Sequence, residues 1–158
     1  MFKGLCFSVK YVICGIGDRL EFLKNLANKL GISDKVNFIG LRYDIPELLK
    51  AADIFAHPSK REGLGIAPLE AMASGVPVIS SDTGGLPELN LNGFSGYLSP
   101  VGDIMNMSKD AISILKDSKI LLNFKKSAKI RASNFDIHQV VSSYESVYNK
   151  ALKNCISI

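Results

Sequence analysis

Two carboxylates, Glu62 and Glu70, stand with seven residues between them in Pro58-Ser-Lys-Arg-Glu62-Gly-Leu-Gly65-Ile-Ala-Pro-Leu-Glu70-Ala-Met-Ala-Ser-Gly75-Val-Pro-Val. The glycines put the first carboxylate in a loop, and the run that follows them puts the second inside a helix. At about 100° per residue, Ile66, Leu69, Met72 and Ala73 form one apolar arc with Glu70 at its edge. A carboxylate there is expected to be partly desolvated and hydrogen-bonded. It can accept two hydrogen bonds in a fixed direction, which suits the adjacent hydroxyls of a ribose. Glu62 lies ahead of the helix near its positive end, where negative charge is favoured and a second polyhydroxyl group can be held. Gly63 and Gly65 leave backbone N–H groups uncovered at the same terminus, so the amides around Leu64, Gly65 and Ile66 form an anion site fit for a diphosphate. Ribose, diphosphate and hexose would then lie along one crevice. The plain alternative is that Glu62 caps the helix and Glu70 is an ordinary surface residue.

Strands and helices must alternate to position these groups. Tyr11-Val-Ile-Cys14 reads as a buried strand, and Leu20, Leu23, Leu26, Ala27 and Leu30 recur at helical spacing until Gly31. Asp18 and Glu21 match a capping box for that helix. Val36 to Ile39 is a second strand closed by Gly40, and Ile45 to Ala52 a short helix with Pro46 in its first turn. Ile54 to Ala56 is a third strand ending at His57-Pro58, Gly65 to Ser74 a helix stopped by Gly75, and Val76 to Ser80 a fourth strand. After Gly96-Tyr-Leu-Ser99 the chain reads as helices at 103–117, 118–132 and 136–153. The last carries an apolar stripe of Ile137, Val140, Val141, Tyr144, Val147, Tyr148 and Ala151 that needs a partner. Short connections between alternating strands and helices imply right-handed crossovers, hence an α/β fold with a Rossmann-like parallel sheet covered on both faces. A sheet of at least four strands is expected, with Glu62 and Glu70 at its carboxyl edge, where open parallel sheets bind ligands.

Gly15-Ile16-Gly17, after the first strand, begins like a dinucleotide fingerprint. Leu20 takes the place of its third glycine and no acidic residue ends the second strand, so the pair reads as a tight turn that lets a ligand approach the backbone. A chain of 158 residues is about one domain, and 47% hydrophobic with 22% charged residues excludes disorder. The net charge of +4 clusters mildly at Lys125, Lys126, Lys129 and Arg131, read as one solvated helix face and not a nucleic-acid site. Cys6, Cys14 and Cys155 have no metal-ligand spacing and read as reduced thiols, placing the chain in the cytoplasm. No apolar run approaches the roughly 20 residues of a membrane span, and no metal or bound cofactor is expected.

The stretch from Glu62 to Glu70 resembles the Glu-x7-Glu motif of the retaining glycosyltransferases of family four, which pair two Rossmann-like domains in the GT-B arrangement. Pro58-Ser59, Glu70-Ala-Met-Ala-Ser-Gly-Val-Pro77, Thr83-Gly-Gly-Leu-Pro-Glu88, the first strand with Gly15-x-Gly17, and Val36 to Ala52 are similar to the same family, so the resemblance spans about residues 11 to 153. It implies a carboxy-terminal, donor-binding domain that takes a nucleotide-diphosphate sugar, a UDP-sugar above all, for metal-free hexosyl transfer. Glu70 would hold the ribose, Glu62 the donor sugar at the catalytic centre, and Gly65 with its neighbouring amides the diphosphate. Leu41 and Arg42 match the stretch that holds the base, although Arg42 reads equally as a solvated charge. Thr83, Gly84 and Gly85 would line the sugar site or simply form a glycine turn, and His57 is a proton carrier or a structural residue.

The family's diphosphate-binding Arg and Lys have no recognisable match in Met1 to Val9, leaving Lys3, Lys10, Lys60 and Arg61 as stand-ins. The amino-terminal acceptor domain of the family is expected in cis or in trans. Within the family, Asp82 to Asn90 with Gly93 to Tyr97 and Val101 to Asp103 resembles the N-acetylglucosaminyl malate synthases of bacillithiol formation, and Arg61 to Gly65 the transferases of capsule and exopolysaccharide assembly. A nucleotide-sugar-binding module, or a fragment without turnover, is the alternative to an enzyme.

Overall fold

Five strands alternate with helices along the chain, in a computed structural model that describes residues 8–156 and the side chains of 8–153. Lys3, Cys6 and the side chain of Cys155 lie outside the described residues. The chain divides into two compact units, Met1–Leu48 and Leu49–Ile158.

In the first unit, β1 (Tyr11–Cys14) runs parallel to β2 (Val36–Gly40), Tyr11 facing Val36 and Cys14 facing Gly40 across a register shift. Helix α1 (Leu20–Leu30) and a short 3-10 turn (Ser33–Lys35) connect them. Gly31 ends α1 in the left-handed region at φ 65°, where its N–H reaches the carbonyls of Ala27 and Asn28. The expected capping box is not formed. Helix α1 begins one residue later than that box requires, with Arg19 at the cap position, and Glu21 pairs with Lys24 at 2.8 Å instead. Strand β1 is exposed along its whole length, not buried as its β-branched run implied. Helix α2 (Ile45–Lys50) closes this unit and leads into the next.

The second unit is built on β3 (Phe55–His57), β4 (Val78–Ser81) and β5 (Gly96–Ser99), hydrogen-bonded in that order and all parallel. The parallel direction follows the sequence pattern, but the ladders form sets of two and three strands instead of one sheet of four or more. Alternation carries strand direction through the crossover rule; ladder partners depend on long-range register, which local periodicity does not encode. Every residue of the central β4 is buried. Helices α3 (Ile66–Ala73), α4 (Leu86–Leu89), α5 (Ile104–Leu115), α6 (Ser118–Ser133) and α7 (Ile137–Ile156) complete the unit. Ile79 from β4 packs with Ala111 and Ile114 of α5, and Tyr97 meets Phe124 of α6 with ring centroids 5.3 Å apart. Asp103 and Asp117 start α5 and α6 as side-chain caps, accepting from Asn106 N–H at 3.0 Å and Lys119 N–H at 2.7 Å.

The basic run on α6 is not simply solvated. Lys125 pairs with Asp53 at 2.8 Å, and the Arg131 guanidinium donates to the carbonyls of Leu89, at 3.0 Å, and of Glu88 while lying over the Phe135 ring. The stripe on α7 stays open, with Ile137, Val141, Tyr144, Val147 and Tyr148 all exposed. Among the described residues no helix is long and apolar enough to cross a membrane.

Candidate donor site

Strand β3 ends at His57, and the loop that leaves it folds back so that Glu62 Oε2 lies 2.6 Å from His57 Nε2. The other carboxylate oxygen accepts the Gly63 N–H at 3.1 Å, and Ser59 Oγ stands 3.1 Å from the same imidazole nitrogen. Both partners are mostly buried, with 19% of the His57 side chain and 25% of Glu62 exposed. The His57 imidazole, aided by the amides of Gly63 and Gly65, holds the Glu62 carboxyl below the usual glutamate range, while partial burial pulls the other way.

The unfolded chain therefore binds this proton more tightly than the folded one. The stability contributed by ionised Glu62 is complete above the ordinary glutamate value and is lost as pH falls through the lowered folded value. Glu62→Gln is expected to flatten the decline of the thermal midpoint in that acid window. Melts across the window check it, and an unchanged slope would show that the ionised carboxylate adds no stability.

Glycines set the path of this loop from behind. A Cβ at Gly84 would lie 1.8 Å from the Glu62 carbonyl oxygen, and one at Gly85 2.5 Å from that of Gly63. The Gly85 N–H donates to the Gly63 carbonyl at 2.8 Å, and Thr83 Oγ1 reaches the Lys60 carbonyl at 3.5 Å. Gly84 and Gly85 thus meet the Glu62 loop main chain against main chain, and Thr83 meets it through its hydroxyl. Gly65, buried at φ +82°, turns the chain into α3 where any Cβ would press on Leu86 at 2.9 Å.

Glu70 is placed differently from its expected setting. Helix α3 buries Pro68, Ala71 and Met72, while Ile66, Ala73 and Glu70 face solvent. The carboxylate is exposed, not desolvated, and has no side-chain partner among the described residues. The cause is composition: Ile-Ala-Pro-Leu-Glu-Ala-Met-Ala is apolar nearly all round, so its apolar positions do not select a face, and the face with Pro68, Ala71 and Met72 goes inward. The amide supply at the start of α3 also differs, because Glu62 itself takes the Gly63 N–H. The amides of Leu64 and Ile66 have no acceptor among the described residues, and both side chains are exposed.

Residues 6–131 match the family model of the glycosyl transferases group 1. The chain belongs to this family. Over 142 residues the chain is 37% identical to N-acetyl-alpha-D-glucosaminyl L-malate synthase of Bacillus anthracis, the match covering 88% of this chain and 37% of that protein. It is 34% identical over 143 residues to the lipopolysaccharide core biosynthesis mannosyltransferase LpsB of Rhizobium meliloti, covering 87% of this chain and 41% of that one. Anabaena Alr3699/HepE in complex with UDP has the same fold, with a TM-score of 0.81 at 27% identity over 90% of this chain and 41% of that one. Its complex with UDP-glucose gives a TM-score of 0.80. The chain spans about two fifths of the length of these relatives.

The expected family and α/β Rossmann-like fold are thus found. Of the site residues expected from sequence, Glu62, Leu64, Gly65, Ile66, Glu70, Thr83, Gly84 and Gly85 belong to the second unit of the group 1 chain. Gly15, Gly17, Leu41 and Arg42 belong to the first. There Gly15, at φ +134°, donates to the Gly40 carbonyl at 2.8 Å, and Gly17 accepts from Leu20 N–H at 3.1 Å, which closes a tight turn. Arg42 is engaged by Asp44 through two hydrogen bonds, Nε to Oδ1 at 2.7 Å and Nη2 to Oδ2 at 2.5 Å, beside exposed Leu41 and Tyr43. Asn90 and Arg131 carry structural weight that the sequence reading did not assign. An asparagine flanked by Leu89 and Leu91 is the available signal for the first; nothing local marks the second.

Proposed function

We propose that this chain binds the nucleotide-diphosphate sugar, a UDP-sugar, of a glycosyltransferase that moves a hexosyl group with retained configuration. The observation that carries the reading is Glu62, an ionised carboxylate held by His57 at one oxygen and by the Gly63 amide at the other, and set at the exit of a parallel strand. A carboxylate has about four acceptor positions, so capacity remains for a ligand hydroxyl. In the proposed pose Glu62 receives the sugar hydroxyls beside the reacting carbon, and Thr83, Gly84 and Gly85 line that end. Diphosphate oxygens take the open amides of Leu64 and Ile66 near the N-terminus of α3, and Gly65 lets the main chain approach. Exposed Glu70 offers both oxygens to the ribose. The complexes of Anabaena Alr3699/HepE with UDP and UDP-glucose support a uridine donor.

The protein's part in the reaction is then orientation and phosphate stabilisation. In the front-face course that the resemblance implies, the departing diphosphate helps take the acceptor proton. The relatives matched are more than twice as long as the aligned stretch, so a second domain, in cis or in trans, is proposed to hold the acceptor. The malate synthase and the mannosyltransferase favour a small hydroxy acid and an envelope glycan, respectively, as acceptor classes. A cytoplasmic setting fits the cysteine pattern.

Calorimetric titration tests the assignment. Glu70→Ala is expected to weaken UDP binding by about 1–3 kcal/mol, the scale of charge-assisted hydrogen bonds, with the fold unchanged. Glu62→Ala is expected to leave UDP affinity intact and weaken only the sugar nucleotide. Equal UDP affinity in wild type and Glu70→Ala would remove the ribose role.

A further inference from the structure

A glutamate side chain has several rotatable bonds, and a ligand that captures it must offset the freedom it gives up. Glu62 has already given up much of it. His57, which makes the 2.6 Å contact to Oε2, is the last residue of β3 and stands opposite Ser80 in the β3–β4 ladder. Its ring stacks on Phe55 at 5.9 Å with an interplanar angle of 19°. The imidazole is therefore held by the sheet, and the carboxylate is held by the imidazole. With Glu62 ionised, so short a contact requires the His57 proton to sit on Nε2 and be donated to Oε2. Ser59 Oγ at 3.1 Å then accepts a weaker branch of the same N–H and helps fix the ring.

We propose that His57 is a positioning residue: its Nε2–H holds Glu62 in one rotamer and so sets how much more tightly a sugar nucleotide binds than the bare nucleotide. The proposal rests on the assignment of Glu62 to the donor sugar. It gives His57 no direct contact with the donor and no proton to transfer. A neutral amide that reaches the position of Nε2 should therefore serve in its place, whereas a proton carrier could not be replaced in that way.

The test titrates UDP, UDP-glucose and UDP-N-acetylglucosamine into the wild-type chain and into His57→Ala, His57→Gln and Glu62→Ala. It also follows the Glu62 side-chain rotamer by NMR couplings in the nucleotide-free chains. In His57→Ala the affinity advantage of the sugar nucleotide over UDP is expected to fall by about tenfold, the scale of one charge-assisted hydrogen bond, with UDP affinity unchanged. His57→Gln is expected to restore most of that advantage. Glu62 should sample several rotamers in His57→Ala and a single one in wild type and in His57→Gln. A full sugar advantage in His57→Ala, or a single Glu62 rotamer in that variant, overturns the proposal. If instead Glu62→Ala keeps the advantage, or wild type shows none for either sugar, the assignment of Glu62 to the sugar has failed, while the rotamer measurement still decides whether His57 holds Glu62.

Discussion

Gly84→Ala is expected to lower the unfolding free energy by on the order of 4 kcal/mol and to abolish binding of a sugar nucleotide. Two costs combine. At φ +56° a side chain adopts a left-handed backbone conformation, worth about 1–2 kcal/mol against any residue but glycine. The new Cβ would also stand 1.8 Å from the carbonyl oxygen of Glu62 and 2.8 Å from its carbonyl carbon. That neighbour is backbone, so no rotamer change relieves the overlap, and the Glu62 loop must move away from the turn. Moving it separates Glu62 from His57 and breaks the Gly85 N–H bond to the Gly63 carbonyl. Chemical denaturation reads the first effect and calorimetry the second. An unchanged denaturation midpoint with unchanged binding would mean that the loop relaxes freely, against the close packing described here.

Asn90→Ala is expected to cost about 3–5 kcal/mol, the range for breaking a buried polar network. The Asn90 side chain is fully buried, and its Nδ2 group donates to the Val78 carbonyl at 3.0 Å, the Tyr97 carbonyl at 3.1 Å and Ser80 Oγ at 3.1 Å. Its Oδ1 accepts from Ser95 Oγ at 2.9 Å. Truncation would leave carbonyls of β4 and β5 and two hydroxyls without this partner, far from water. The main chains are close here as well, since a Cβ on Gly96 would lie 1.8 Å from the Val78 carbonyl oxygen. Asn90→Asp should also be harmful, because it exchanges the donor group for a buried acceptor facing carbonyls. Denaturation of both variants checks the argument; an Asn90→Asp chain as stable as wild type would contradict it.

Much of the fold was legible because its signals are local. Gly31 ends α1, Gly65 opens α3, and the strand at Tyr11 to Cys14 falls where its pattern places it. Glu62 lies in a loop just ahead of α3, as the glycines beside it indicate. What the sequence did not disclose depends on partners distant in the chain. The face of α3 was misjudged because its residues are apolar on nearly every side, so Glu70 emerged exposed. Asp18 missed its cap because one residue of phase separates a capping box from an ordinary turn. The hold of His57 on Glu62 spans only five positions, yet it needs a loop path fixed by Gly84 and Gly85, more than twenty residues downstream.

The manner in which that loop is held makes it a tractable place to redesign. Its course from Lys60 to Gly63 is set by the Thr83 hydroxyl and by main-chain contacts with Gly84 and Gly85, while the side chains of Lys60, Arg61 and Leu64 point into solvent. Shape and chemistry are thereby separated. Residues 60, 61 and 64 can be randomised together in a library without disturbing the backbone that presents Glu62, so that selection for a different donor acts on recognition and not on folding.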